Sequence, residues 1–287
     1  MKKLMTGNEA LVRGAWEAGV NFASAYPGTP STEILENMFG YKEVYSEWAP
    51  NEKVALEAAV GASIAGARSM ASMKHVGLNV AADPLFSFVY QGVNGGMVII
   101  TADEPGQHSS QNEQDNRHYA KAAKLAMMEP SDSQEARAFM KEAFEISEKL
   151  DMPILMRMTT RLCHSKGIVD CGERVEVPAK KYEKNIAKHL NPPAIAKKQR
   201  ILLEDRLVKL KEFSETTPMN RIEDNGKKVG VVVSGMCYCY AKEVFGDDVN
   251  YLKLGFTYPL PSDLIKKFCT GLDIIYVIEE NDPILEE

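Results

Sequence analysis

Asn51-Glu52-Lys53-Val54-Ala55-Leu56-Glu57-Ala58-Ala59-Val60-Gly61-Ala62-Ser63-Ile64-Ala65-Gly66-Ala67-Arg68 is the stretch around which the chain is organised. Its alanines make it a strong helix former, with Glu52 in the first turn. Four small residues, Gly61, Ala62, Ser63 and Gly66, cluster in its middle. A glycine inside a helix costs about 0.5–1 kcal/mol relative to alanine, so two of them point to a close neighbour. Glu52 stands beside a helix N-terminus among Ala and Val side chains. That setting suits a first-turn acid stabilised by the helix dipole. Taken alone the residue is that plain acid; with the surrounding motifs it is a working carboxyl whose pKa is raised by burial.

Upstream, Thr6 caps a helical pattern that Gly19 ends, and 20–26 reads as a short strand. Pro27-Gly28-Thr29-Pro30-Ser31-Thr32 closes that strand and opens a helix at 33–38, and 44–48 is a second strand. Downstream, 69–73 is a strand, Lys74 to Asn79 a lead-in, and 81–91 a helix. The segment 95–102 is apolar on both faces, as a central parallel strand is. A long amphipathic helix ends at Leu150, and 153–158 is another buried strand. Strands alternating with helices predict a doubly wound, mostly parallel α/β sheet. Such sheets bind ligands at strand ends. Ser31 reads as a helix cap, whereas Thr29 is open between a turn and a ligand role. The fifteen polar residues 103–117 have no structural pattern, and long loops inside a domain are usually functional. His108 and Arg117 are its candidate anion or proton handlers.

Segment 180–211 holds ten Lys or Arg against three Asp or Glu, a balance of +7 that leaves −13 for the rest of a chain of net charge −6. Mixed signs and the lack of interleaved aromatics make it a connector, not a nucleic-acid patch, and the acidic chain argues against nucleic acid as the main partner. Three parts are expected: 1–179, a basic helical linker 180–225, and a second α/β unit 226–287. The last strand pattern, 273–280, runs into Pro283-Ile284-Leu285-Glu286-Glu287 where a helix should begin, so a shortened chain or a split gene is expected. No apolar run spans a membrane and Met1 to Gly7 is no secretory signal, which makes the cytoplasm the default. The five cysteines fall at irregular spacings without a cluster-binding run and read as idle thiols.

The loop Tyr26-Pro27-Gly28-Thr29-Pro30-Ser31-Thr32, Asn51-Glu52 with Gly61-Ala62-Ser63 beyond it, and Gly66-Ala67-Arg68 together resemble the pyrimidine-binding module of thiamine-diphosphate enzymes. More narrowly they resemble the 2-oxoacid:ferredoxin oxidoreductases. The run Gly106-Gln107-His108-Ser109-Ser110-Gln111-Asn112-Glu113-Gln114-Asp115-Asn116-Arg117 is similar to the branch acting on an aryl 2-oxoacid such as indolepyruvate. The likeness covers essentially the whole chain, and implies that 226–287 is of transketolase C-terminal type. It implies Glu52 as the catalytic carboxyl on the aminopyrimidine ring, with Pro27, Gly28 and Gly77 beside the cofactor. It places Thr29 at the substrate carboxylate and His75, His108 and Arg117 on the substrate side. It implies thiamine diphosphate with Mg and [4Fe-4S] clusters in the complete enzyme, with coenzyme A and ferredoxin as partners. The GlyAspGly metal motif and the ferredoxin-like cysteine run are absent from the sequence. Those modules, or a beta subunit, are therefore expected on other segments of a homo- or hetero-oligomer, and this chain alone is expected to be inactive. Pyruvate or 2-oxoglutarate as substrate, or a non-catalytic dimerisation scaffold, are the alternative readings. Phe86 and Phe88 are candidates for an aryl pocket, though core packing is the plainer use.

Overall fold

The computed structural model describes residues 1–287. In chain order the strands are β1 (Lys2–Thr6), β2 (Phe22–Ala25), β3 (Tyr45–Trp48), β4 (Ser69–Lys74), β5 (Met97–Asp103), β6 (Ala126–Met128) and β7 (Ile154–Thr159). They continue as β8 (Lys166–Asp170), β9 (Arg221–Glu223), β10 (Val229–Ser234), β11 (Asn250–Leu254), β12 (Phe256–Tyr258) and β13 (Ile274–Ile278). Seven of them form one sheet in the order β12-β6-β7-β5-β4-β2-β3, parallel except for β12. Four form a second sheet, β13-β10-β11-β9, in which β10 is parallel to both neighbours. The expected α/β class is what the chain adopts.

Local chemistry sets the element ends. Thr6 and Glu9 make a reciprocal capping box for the helix Gly7–Glu17. Gly19, at φ +75, turns the chain out of that helix toward β2. Asn51 accepts the Val54 N–H and starts the helix Glu52–Ile64. β5 is buried along its whole length, as its unbroken apolar run predicts. The principal core is a cluster of 53 buried residues around the larger sheet, while the second sheet is lined by clusters of only 6 and 4. The helix Pro193–Thr216 packs across the first unit, where Arg206 donates to the Val89 and Tyr90 carbonyls.

The structure corrects the reading in four places. Gly66 is not inside the helix: it follows the last turn at φ +102, with the Lys180 carbonyl where a Cβ would stand. Gly61 lies within the helix but faces open space, so it makes room for nothing in this chain. The lead-in after β4 is a helical turn, His75–Val80, ahead of the helix Ala82–Gln91. Finally, β12 leaves the second unit to pair antiparallel with β6 at the edge of the larger sheet, and β1 pairs with β8 in a separate ribbon.

Candidate functional site

In the larger sheet β3 lies on one side of β2 and β4 on the other. The chain therefore reverses direction across the sheet at β2. The loops leaving the carboxyl ends of β2 and β4 diverge there, which opens a crevice where α/β sheets take ligands. Three sequence-expected groups meet at this end of the sheet: the 26–31 turn, the start of the Glu52–Ile64 helix, and the Lys74-His75 junction.

The turn is locked from within. The Gly28 N–H donates to Thr32 Oγ1 at 2.8 Å, and the Ser31 hydroxyl donates to the Gly28 carbonyl at 2.8 Å. Ser31 and Thr32 thus spend their hydroxyls on the turn itself. Thr29 and Pro27 are exposed at its outer side, and the Thr29 hydroxyl has no partner in the chain. Gly28 lies against the Lys74 methylenes, whose Cδ would be 2.9 Å from a Cβ at position 28. Lys74, which sequence reasoning missed, reaches on to Ser110 Oγ at 3.1 Å and so links the turn to the 104–116 loop.

Glu52 is 8 % exposed, yet its carboxylate has no hydrogen bond or ion pair within the chain. Buried carboxylates ordinarily have a partner, because desolvating one without compensation is costly. Gly77 is what lets this carboxylate sit where it does. A Cβ there would stand 2.7 Å from Glu52 Oε1 and 2.8 Å from Cγ. The chain therefore builds a cradle around a carboxylate that has no protein partner and that keeps an opening to solvent on one side. This fits the aminopyrimidine nitrogen that the resemblance would put there.

His75 is fully buried at the head of its helical turn. Its Nε2 lies 3.1 Å from both the carbonyl and the side-chain oxygen of Asn112, while Nδ1 is buried without a partner. The 104–116 loop is anchored around it. Gln114 and Asn116 both donate to the His75 carbonyl, and Asn116 also takes Asp103 through its N–H. Glu104 curls the loop by accepting the Ser109 N–H and hydroxyl. Burial alone would raise the Glu104 carboxyl, but these donors and Ser110 hold it below the ordinary range.

Arg117, expected on the substrate side, is placed by the structure with its donors turned to protein groups. It is 2 % exposed and gives its donors to Asp115, Glu279 and the carbonyls of Glu280 and Asp282. That saturates the guanidinium and ties the end of the second unit to the first. Beside it Arg157 pairs with Asp103 at 2.7 Å and Glu129 at 2.6 Å. Burial works to raise the Asp115 carboxyl, but Arg157 and Arg117 outweigh it and hold it below the usual carboxylate range. The signal that could have found this network was in the sequence: Arg157 and Asp103 are charges inside otherwise apolar strands. Nor does His108 join the crevice. It is exposed and lines a cavity with residues 160, 161, 164 and 165. Phe88 is core, and Phe86 borders a cavity of about 340 Å³ with Tyr90 and Asn191. Cys237 is buried and its thiol is pushed up to about 12, which leaves it no thiolate character at neutral pH. No helix is long and apolar enough to cross a membrane.

Residues 13–229 match the family model described as pyruvate flavodoxin/ferredoxin oxidoreductase, thiamine diphosphate-binding. The indolepyruvate oxidoreductase subunit IorA of Archaeoglobus fulgidus is 44% identical, over 99% of this chain and 48% of that protein. The subunit of the same name from Pyrococcus horikoshii is 43% identical, over 100% of this chain and 46% of its own length. The 2-oxoglutarate synthase subunit KorA of Archaeoglobus fulgidus is 27% identical, over 97% of this chain and 88% of that protein. The chain thus spans about half the length of the indolepyruvate relatives. A solved 2-oxoglutarate:ferredoxin oxidoreductase from Magnetococcus marinus, with 2-oxoglutarate, coenzyme A and succinyl-CoA bound, superposes with a TM-score of 0.80 over 98% of this chain and 58% of that one. At 18% identity that likeness carries the fold alone.

Proposed function

From the premise that the chain belongs to the pyruvate flavodoxin/ferredoxin oxidoreductase family, in its thiamine-diphosphate-binding part, we propose that it supplies the pyrimidine half of a cofactor site. The activity of the complete enzyme would be the oxidative decarboxylation of an aryl 2-oxoacid such as indolepyruvate to an acyl-CoA, with electrons passing to ferredoxin. Identity of 43–44% to indolepyruvate subunits, against 27% to a 2-oxoglutarate one, supports the aryl class. The diphosphate, Mg and [4Fe-4S] clusters would be held outside these residues, by another module or a beta subunit. A substrate screen on that complex, with pyruvate and 2-oxoglutarate as competitors, tests the substrate class.

One observation carries the site: the buried, unpartnered Glu52 carboxylate in a cradle kept open by Gly77. Bound thiamine diphosphate would supply a carbon nucleophile and an electron sink. Glu52 would hold the proton on the ring nitrogen facing it, a hydrogen bond that offsets the cost of its own burial. Gly77 keeps side-chain bulk away, and Pro27 and Gly28 wall the ring from the opposite loop. Thr29, with its hydroxyl free, would donate to the substrate carboxylate. His75 would close the substrate side beneath the loop that Gln114 and Asn116 anchor.

Glu52→Gln in the complete complex tests this. The amide keeps the shape but cannot hold or release the proton. Proton exchange at the cofactor's reactive carbon, followed by NMR, is expected to slow by about 10²–10⁴-fold. The thermal midpoint should not fall, since the Glu52 side chain makes no hydrogen bond or ion pair within the chain that the change would break. Exchange at the normal rate would refute the assignment.

A further inference from the structure

His108, left over from the crevice, converges with Thr160, Arg161, His164 and Ser165 on a cavity of about 440 Å³. No apolar and no acidic side chain lines it. Arg161 makes no ion pair within 4 Å, though the Tyr240 hydroxyl and the Glu280 carboxyl neighbour its guanidinium, and neither the His108 ring nor the Ser165 hydroxyl has a hydrogen-bond partner in the chain. The Thr160 hydroxyl donates to the Asp103 carbonyl at 3.3 Å, and His164 has one charged neighbour, Glu33, at 3.7 Å. Immediately before them, at the carboxyl end of β7, Thr159 is 5 % exposed with an unpartnered hydroxyl, but it does not line the cavity. The wall thus presents several donors to solvent: a guanidinium, two imidazoles and a hydroxyl.

We propose that this cavity binds the phosphate group of a larger organic molecule. A guanidinium with flanking N–H and O–H donors matches an anion that offers several oxygens, and the fork favours bidentate capture. The volume lies in the range of pockets that hold whole small molecules rather than bare ions. The absence of apolar lining selects a polar body over an aryl one. The position is also right: the cavity lies between the segments that leave the carboxyl ends of β5 and β7, neighbours in the parallel sheet. None of this depends on Glu52, which takes no part in the cavity.

Isothermal titration of the 287-residue chain with ADP, inorganic phosphate and phenylpyruvate decides it. ADP is expected to bind at one site, with inorganic phosphate competing but binding more weakly. Arg161→Gln and His164→Gln, both at exposed positions, should each weaken ADP about tenfold or more with an unchanged circular dichroism melt. Lys209→Gln, an exposed lysine on a distant helix, should leave binding as it is. The proposal is overturned if ADP does not bind at millimolar concentration, or if Arg161→Gln binds it normally. Equal affinity for ADP and phosphate would remove the larger ligand. Displacement of ADP by phenylpyruvate but not by phosphate would make this a carboxylate site instead.

Discussion

Position 77 shows how one hydrogen atom in place of a methyl group can decide a site. Alanine there is favoured by the helical turn His75–Val80, where glycine costs about 0.5–1 kcal/mol. The added Cβ would meet Glu52 Oε1 at 2.7 Å, the mobile end of a side chain and not backbone. The whole Glu52 side chain must swing aside, because its Cγ would also lie 2.8 Å from the new Cβ, so that cost offsets the gain in helix propensity while the cradle is lost. Gly77→Ala is therefore expected to leave the melting temperature of the chain within a few degrees of the parent. In the complete complex it should weaken thiamine diphosphate more than tenfold by isothermal titration. Parent-like affinity would mean that Glu52 and Gly77 are neighbours without being a site. Of this pair the sequence carried the identities, since Glu52 and Gly77 both came from motif matching. Their contact, set by the packing of two helices, was not readable along the chain.

At the scale of elements, the Ala-rich run 51–68 was legible as a helix, but its end was not. Composition favours helix as far as Arg68, but the helix stops at Ile64 in a local turn, in which the Gly66 and Ala67 N–H groups donate to the Ser63 and Ala62 carbonyls. That turn puts Gly66 at φ +102, and its carbonyl then accepts the Lys180 N–H from a segment 114 residues later in sequence. The two glycines of this stretch therefore answer oppositely to the same change. Gly61→Ala, helical and facing open space, should stabilise by about 0.5–1 kcal/mol. Gly66→Ala, at positive φ with the Lys180 carbonyl 2.1 Å from the new Cβ, should destabilise by about 2–3 kcal/mol. Urea melts of both variants check the pair. A Gly66→Ala chain as stable as its parent would contradict the close approach. Strands gave the same lesson: β5 and β7 were plain from their apolar runs, whereas three-residue β9 and β12 carry too little pattern to be seen.

For the molecule as a whole, a charge cluster and a strand exchange hold the second sheet to the first, with apolar help from Phe256, which joins the first core, and from Met236 and Tyr258 packed against it. The clusters lining the second sheet comprise 6 and 4 buried residues, set apart from the 53 around the first. Across the junction Arg117 joins Asp115 to Glu279, with carbonyls 280 and 282 as further acceptors. Sequence reasoning gave Arg117 to the substrate because the residue ends a polar loop, and its partner Glu279 lies 162 positions away, beyond any local pattern. Removing one member of a buried ion pair costs about 3–5 kcal/mol, because the stranded carboxylates stay desolvated. Against a total stability of about 5–15 kcal/mol that is enough to release a subunit of structure without unfolding the rest. Arg117→Met keeps an unbranched apolar stem, though a shorter one, and deletes the charge. Its effect should be local: hydrogen exchange by mass spectrometry should rise in peptides covering 274–287, which lose their tie. Peptides of β5 and β7 should keep their protection, since Arg157 still pairs Asp103 and Glu129 there. Exchange rising equally everywhere would show one cooperative body, and unchanged protection at 274–287 would show that β12, not Arg117, carries the junction.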